Sequence, residues 1–279
     1  MKKSLLLFFT IAMLYACQQD HIIQDTSGNS DQEITIPEYA SREKFYEYAR
    51  MQQNAEPAER SQNEKEKGFV SLTSTFETIY AEYEALPEPD MQTWISNYNT
   101  FKAKHTDVAL YFSNDPENAL VELVMPDHIA LCINARGQAK IDNKIVTFKA
   151  GDYLTNKETN KLKTNWHQWR HVQSIDGKRR MDGYMYQDLD WPIIYQIKVK
   201  GYKKSWGKWR SYKTKCYIEP TEHAHSYYPP TYYPTTWYAP GNPAVAEVKT
   251  FVRYFQKDKI GYKVWTRGVG ENDAKILKK

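Results

Sequence analysis

Near residue 119 the apolar period of this chain changes from helical to strand-like, and that change confines it to a mixed α+β fold. Upstream, Leu72, Phe76, Ile79, Tyr80 and Tyr83 recur every three or four positions, the spacing that places side chains on one helix face. A helix is predicted over 71–86, stopped by Pro87 and Pro89. Asp90 caps the next, whose stripe is Met91, Trp94, Tyr98 and Phe101, and Ser41 caps a shorter one carrying Phe45, Tyr48 and Ala49. Residues 52–68 are rich in Gln, Glu and Lys and offer no apolar face, so they read as a solvated connector.

Downstream, short strands are predicted over 119–124, 129–134, 139–141 and 145–148, with turns at 134–137 and at Asp142-Asn143. After residue 160 the alternation is clear: Ile193, Tyr195, Ile197 and Val199 oppose Ile194, Gln196, Lys198 and Lys200. Tyr212, Thr214, Cys216 and Ile218 alternate in the same way with Lys213, Lys215 and Tyr217. A turn over 203–208 joins these two runs into a hairpin, and 248–254 with 262–266 makes a second around 256–260. Such spacing predicts an antiparallel sandwich. The expected organisation is a signal peptide over 1–16, a flexible tether over 17–40, a helical and short-strand part over 41–155, and a basic, aromatic-rich antiparallel part over 156–279.

The first residues set an address. Lys2-Lys3 precede an apolar run over 5–14, which ends in Leu14-Tyr15-Ala16-Cys17. A membrane span needs about 20 apolar residues, and polar Gln18, Gln19 and Asp20 follow at once. This is the layout of a secretory signal with a cysteine just past the cut. It resembles the lipobox of bacterial lipoproteins, which implies acylation of Cys17 by chains such as palmitate, loss of 1–16, and a lipid bilayer as partner. Gln18 stands where an inner-membrane retention aspartate would be, so the resemblance implies the outer membrane, on its periplasmic or its cell-surface face. The stretch 134–148, with Asn134, Gly137, Ile141, Ile145 and Phe148, is similar to a hairpin in lipoproteins of gut Bacteroidota that have no assigned function. That likeness carries no catalytic residue across.

Charge divides the chain as sharply as period does. Residues 1–155 sum to −9 and residues 156–279 to +13. The asymmetry predicts two functional surfaces or two parts that attract each other. Cys132 and Cys216 lie in separate predicted strands. An oxidising compartment permits a disulfide, but isolated buried thiols are the expected state.

Two constellations are candidates for binding. In the first, Lys198, Lys200, Lys213 and Lys215 share a face if their strands pair, with Trp206 and Trp209 at the hairpin tip. Eight basic and no acidic residues fall within 198–215. Charge with stacking aromatics suits anionic glycans; the plainer reading is a solvated lysine face that protects an edge. The second is the proline-stiffened loop carrying Tyr227, Tyr228, Tyr232, Tyr233 and Trp237, whose rings stack on sugars or cover a core. His223 and His225 make a metal half-site on a strand, which His167 and His171 would have to complete; without a local third ligand no metal is expected.

The sequence holds no Gly-x-Ser-x-Gly, no His-Glu-x-x-His, no phosphate loop and no dinucleotide fingerprint. It therefore leans away from an enzyme, and no cofactor is expected. The leading expectation is a membrane-tethered, non-catalytic binding or adhesion module for anionic glycans or an envelope protein, not for nucleic acid. A secreted glycan-processing enzyme with an unrecognised carboxylate pair, and a structural envelope protein, are the alternatives.

Overall fold

Three of the four helices over 42–104 start where the sequence supplies a capping oxygen. The computed structural model describes residues 34–154, 166–188, 193–222, 237–238, 247–254, 261–267, 269–270 and 275–278. Strand β1 (Glu38–Tyr39) leads into α1 (Arg42–Asn54), where the Ser41 hydroxyl accepts the Lys44 N–H. Helix α2 is Pro57–Lys67. Helix α3 (Leu72–Ala85) is capped by Ser71, which accepts the Ser74 N–H. Helix α4 (Met91–Lys104) is capped by Asp90, which accepts the Thr93 N–H at 2.8 Å. Phe45, Ile79, Tyr83, Trp94, Tyr98 and Phe101 all face one buried cluster, as their spacing predicts.

Helix α2 corrects the expected connector over 52–68. Its sequence has no apolar stripe, and polar contacts hold it instead. Buried Glu64 accepts the Ser71 N–H and the Ser74 hydroxyl, while Asn63 donates to Gln52 at 3.0 Å. Pro57 fits the first turn, where its missing N–H costs nothing, and Gly68 closes the helix at φ +76°.

The middle of the chain is less extended than its pattern predicts. Strands β2 (Tyr111–Phe112) and β3 (Val121–Glu122) pair as a short ribbon. Residues 129–134, expected as a strand, instead begin in a short helix, α5 (Asp127–Ala130). A fully buried apolar run satisfies either state. Strands β4 (Gln138–Ile141) and β5 (Lys144–Thr147) form the expected hairpin, with Asp142 and Asn143 both at positive φ, and β1 adds to β4 in parallel. Gly137 is obligatory: a Cβ there would sit 2.1 Å from the Phe148 carbonyl oxygen. Helix α6 (Ala150–Leu154) ends this part.

The remaining strands are β6 (Trp166–Gln173), β7 (Arg179–Asp188), β8 (Ile193–Ser205), β9 (Lys208–Ser211), β10 (Cys216–Glu222), β11 (Trp237–Tyr238), β12 (Glu247–Tyr254), β13 (Gly261–Thr266) and β14 (Lys275–Lys278). One antiparallel sheet runs β12-β8-β7-β6, with β9 also paired to β8; the other runs β11-β10-β13-β14. The two sheets contact each other, as the predicted sandwich requires. Both predicted hairpins are corrected. Ser205 pairs with Lys208 across a tight Trp206-Gly207 turn, so β8 closes on the short β9. The chain then crosses to the second sheet, where β10 pairs with β13, while β12 joins β8. Cys132 and Cys216 are free and buried. No helix among the described residues is long and apolar enough to cross a membrane.

Candidate functional site

Alternation along β7 and β8 puts Arg180, Asp182, Tyr184 and Tyr186 on one sheet face beside Tyr202, Lys200, Lys198 and Gln196. That face meets the helical part. The Tyr186 hydroxyl donates to the Val124 carbonyl at 2.8 Å, and Tyr184 and Tyr186 belong to the same core as the helices. The acidic half answers the basic strand residue by residue. Lys198 Nζ lies 3.1 Å from Asp127, and its side chain is 2% exposed. Lys200 pairs with Glu122, itself almost fully buried. The Tyr202 hydroxyl donates to the same carboxylate. The Asp127 N–H donates to Gln196 Oε1. Further along, Arg180 clamps Asp182 through Nε and Nη2 at 2.6 and 2.9 Å, and Trp169 Nε1 donates to the same Asp182.

Burial pushes the Tyr184 and Tyr202 phenols well above their ordinary pKa, and the Glu122 carboxylate beside both pushes the same way. Burial alone would weaken the charged form of Arg180, but Asp182 outweighs it and raises that pKa.

The solvent face expected for the lysines is therefore corrected. Lys198 and Lys200 point into an interface, and the −9 and +13 halves meet there. Lys213 is exposed and Lys215 half-buried, but both lie on the crossover to the second sheet, away from the β8 face. Trp209 is fully buried with Leu120 and Tyr202. Lys208 is buried too, donating to the Glu84 carbonyl at 2.9 Å and lying 4.8 Å from the Tyr83 ring centroid. Arg210 pairs with Glu84 and Glu88. Trp206 does stand out, 58% exposed at φ +52°. Tyr227, Tyr228, Tyr232 and Tyr233, with His223, His225 and Cys17, lie outside the described residues, and of Trp237 only the backbone is described. Among the described residues no group of three or more His, Cys, Asp or Glu is placed to hold a metal.

Helices α1, α2 and α3 overhang this charged seam around a pocket that no motif or period predicts. A cavity of about 370 Å³ is lined by Gln53, Arg60, Thr73, Phe76, Glu77, Leu123, Asp127, Leu131, Lys198 and Lys200. That size falls in the range of small-molecule sites, roughly 300–1,000 Å³. Phe76, Leu123 and Leu131 supply apolar wall. Lys200 Nζ sits 5.8 Å from the Phe76 ring centroid, and Lys198 Nζ 5.2 Å from that of Tyr184. Arg60 Nε and Thr73 Oγ1, on two residues of the lining, are closed to solvent and have no hydrogen-bond partner among the described residues. A buried polar atom left unpaired costs about 1–3 kcal/mol. The helical spacing of Thr73, Phe76 and Glu77 was legible in the sequence; Arg60 was not, because α2 was read as a connector.

No family model matches the chain, and no curated protein matches it. Among solved structures it is similar to the crystal structure of a DUF4848 family protein from Bacteroides thetaiotaomicron. The two are 14% identical over 88% of this chain and 97% of that one, with a TM-score of 0.36. A likeness that loose carries no argument for function. What defines the molecule by its own geometry is a mixed α+β fold in which an acidic helical part and a basic sheet face close on each other around a small pocket.

Proposed function

We propose that this chain is an exported, non-catalytic binding protein, lipid-anchored to the outer membrane through Cys17, and that its ligand is a glycan unit held in the pocket below α1–α3. The lipobox-like Leu14-Tyr15-Ala16-Cys17 supports the anchor. The observation that carries the binding reading is the cavity of about 370 Å³, whose wall joins the apolar Phe76, Leu123 and Leu131 to polar and charged side chains. Lys198 and Lys200 enter as paired elements of the cavity wall rather than as an open basic surface. A polymer that binds by bulk charge thus gives way to a ligand small enough to enter.

The test is a thermal-shift screen of mono- and disaccharides, repeated on Thr73→Trp, which fills the cavity. A sugar that raises the melting temperature of the parent and not of the filled variant supports the reading. Shifts of equal size in both contradict it. The anchor is tested separately: Cys17→Ala should move the protein from the membrane fraction to the soluble fraction, and continued retention would sink that part.

Glu77 and Asp127 line the same cavity, which is the observation favouring a second reading, a glycan-processing enzyme. Turnover of a bound saccharide that disappears in both Glu77→Gln and Asp127→Asn would replace the binding reading with this one.

A further inference from the structure

Resting on the lipid anchor of the proposed function, we infer that the small β1-β4-β5 sheet is a second membrane contact, laid against anionic lipid headgroups. Three observations meet on that sheet. The first is where the chain from Cys17 enters the described fold. The Thr35 carbonyl accepts from Asn134 Nδ2, the Pro37 carbonyl accepts the Lys140 N–H at 2.9 Å, and β1 then pairs with β4. The end that leads to the acyl group is therefore received here, and not at the charged seam.

The second observation is charge. Residues 1–155 sum to −9, yet within them 134–149 carry four cations, Arg136, Lys140, Lys144 and Lys149, against one carboxylate, Asp142. Lys140 is paired with Glu38 of β1. Arg136, Lys144 and Lys149 are exposed and make no ion pair among the described residues. Each cation brought to an anionic bilayer strengthens association about fivefold. The third observation is an exposed apolar side chain. Ile145 is the register partner of Lys140, which in turn faces Glu38, so these three share the sheet face opposite the buried Ala139 and Ile141. Ile145 is 60% exposed there. An isoleucine flanked by lysines suits the headgroup boundary, where the apolar group enters the acyl edge and the ammonium groups reach the phosphates. A second copy of this chain, docked about a two-fold axis, would set the same cations against each other.

The experiment inserts the acylated mature chain into phosphatidylcholine vesicles with or without phosphatidylglycerol, neither of which has a primary amine. Amine acylation is then read site by site by mass spectrometry. Lys144 and Lys149 should react at least about fivefold more slowly when phosphatidylglycerol is present, while the exposed Lys203 and Lys213 are unchanged. Arg136→Glu and Ile145→Asp should each remove most of that protection. Both replace exposed side chains, and melting temperatures report whether the fold is intact. Flotation of the vesicles reports the anchor independently. Flotation with Lys144 and Lys149 as reactive as in detergent would overturn the contact and leave the anchor standing. Equal protection with and without phosphatidylglycerol would overturn the part given to anionic headgroups. Protection in detergent that grows with protein concentration would put a second copy on the sheet and overturn the membrane contact. A chain that does not float would overturn the anchor and the contact that rests on it.

Discussion

The two faces of β7 and β8 are made by alternate residues of the same strands, yet they hold the molecule together by different means. Toward the helices stand Arg180, Asp182, Lys198 and Tyr202, buried and bonded to named partners, with Lys200 paired to Glu122 and Tyr184 buried among aromatic rings. Toward the second sheet stand Met181, Met185, Ile197 and Val199, fully buried and apolar, with Gly201 closing on Thr214 and Thr266. The apolar face gains free energy in proportion to area removed from water, about 25 cal/mol per Å², and is indifferent to the identity of its neighbours. The charged face gains little net energy from each pair, because desolvation offsets attraction, but it penalises any mismatch. One face supplies stability; the other fixes which surface of the helical part the sheet accepts.

The largest effect should follow from breaking one pair on the charged face. Lys200→Met leaves Glu122 buried without its cation and should cost about 3–5 kcal/mol in urea unfolding. Adding Glu122→Gln should recover most of that loss. Met185→Ala, on the other face, should cost about 2–5 kcal/mol through its cavity, and no change on the helical part should rescue it. If neither substitution can be rescued, the two faces do not differ as described.

A smaller cost is expected from Gly201→Ala. The added Cβ would lie 2.6 Å from Thr214 Cγ2 and 3.2 Å from the Tyr212 carbonyl oxygen, and overpacking of this kind costs about 1–3 kcal/mol. A neutral result would mean that the sheets pack less closely there.

Alkaline titration separates the faces without mutation. The phenols of Tyr83, Tyr184 and Tyr202 are pushed well above their ordinary value by burial. The unfolded chain therefore loses those protons first as pH rises past about 10. Stability contributed by these groups is full below that pH and falls above it. Tyrosinate absorbance should thus lag behind that of free tyrosine and then rise together with unfolding. Smooth titration of all tyrosines near pH 10 in a folded protein would contradict the burial of this face.

The elements that were legible and those that were not differ in what holds them. Helices α1, α3 and α4 announce themselves through apolar stripes, two of them also through the caps Ser41 and Asp90. Helix α2 is held by Glu64 and Asn63, polar contacts that no periodicity reveals. Alternation correctly put Lys198 and Lys200 on one side of β8, but a period of two says nothing of whether that side meets water or protein. The opposite charges of the two halves were the signal that it meets protein. Lys213 was misplaced because the four-residue β9 ends the pairing before the crossover, and tight closure at Trp206-Gly207 could not be told from a longer turn. The pocket was illegible since it needs α2 above β8, an arrangement set by tertiary contacts alone.

The smallest effect belongs to the turn where both faces run out. Trp206 holds φ +52° and is 58% exposed, a conformation that Asn adopts with less strain. Trp206→Asn should raise stability by about 1 kcal/mol. A loss instead would show that the indole makes contacts that matter to the fold.

Lysine footprinting tests the central claim most directly. The folded protein is treated briefly with an amine-acylating reagent and the modified sites are read by mass spectrometry. If the basic strand is an internal seam, Lys198, Lys200 and Lys208 will be protected while the exposed Lys203 and Lys213 react. Denaturation should abolish the difference. Modification of Lys198 and Lys200 at the rate of Lys203 in the folded protein would mean that the face is open to solvent, and the account of the seam and its pocket would be wrong.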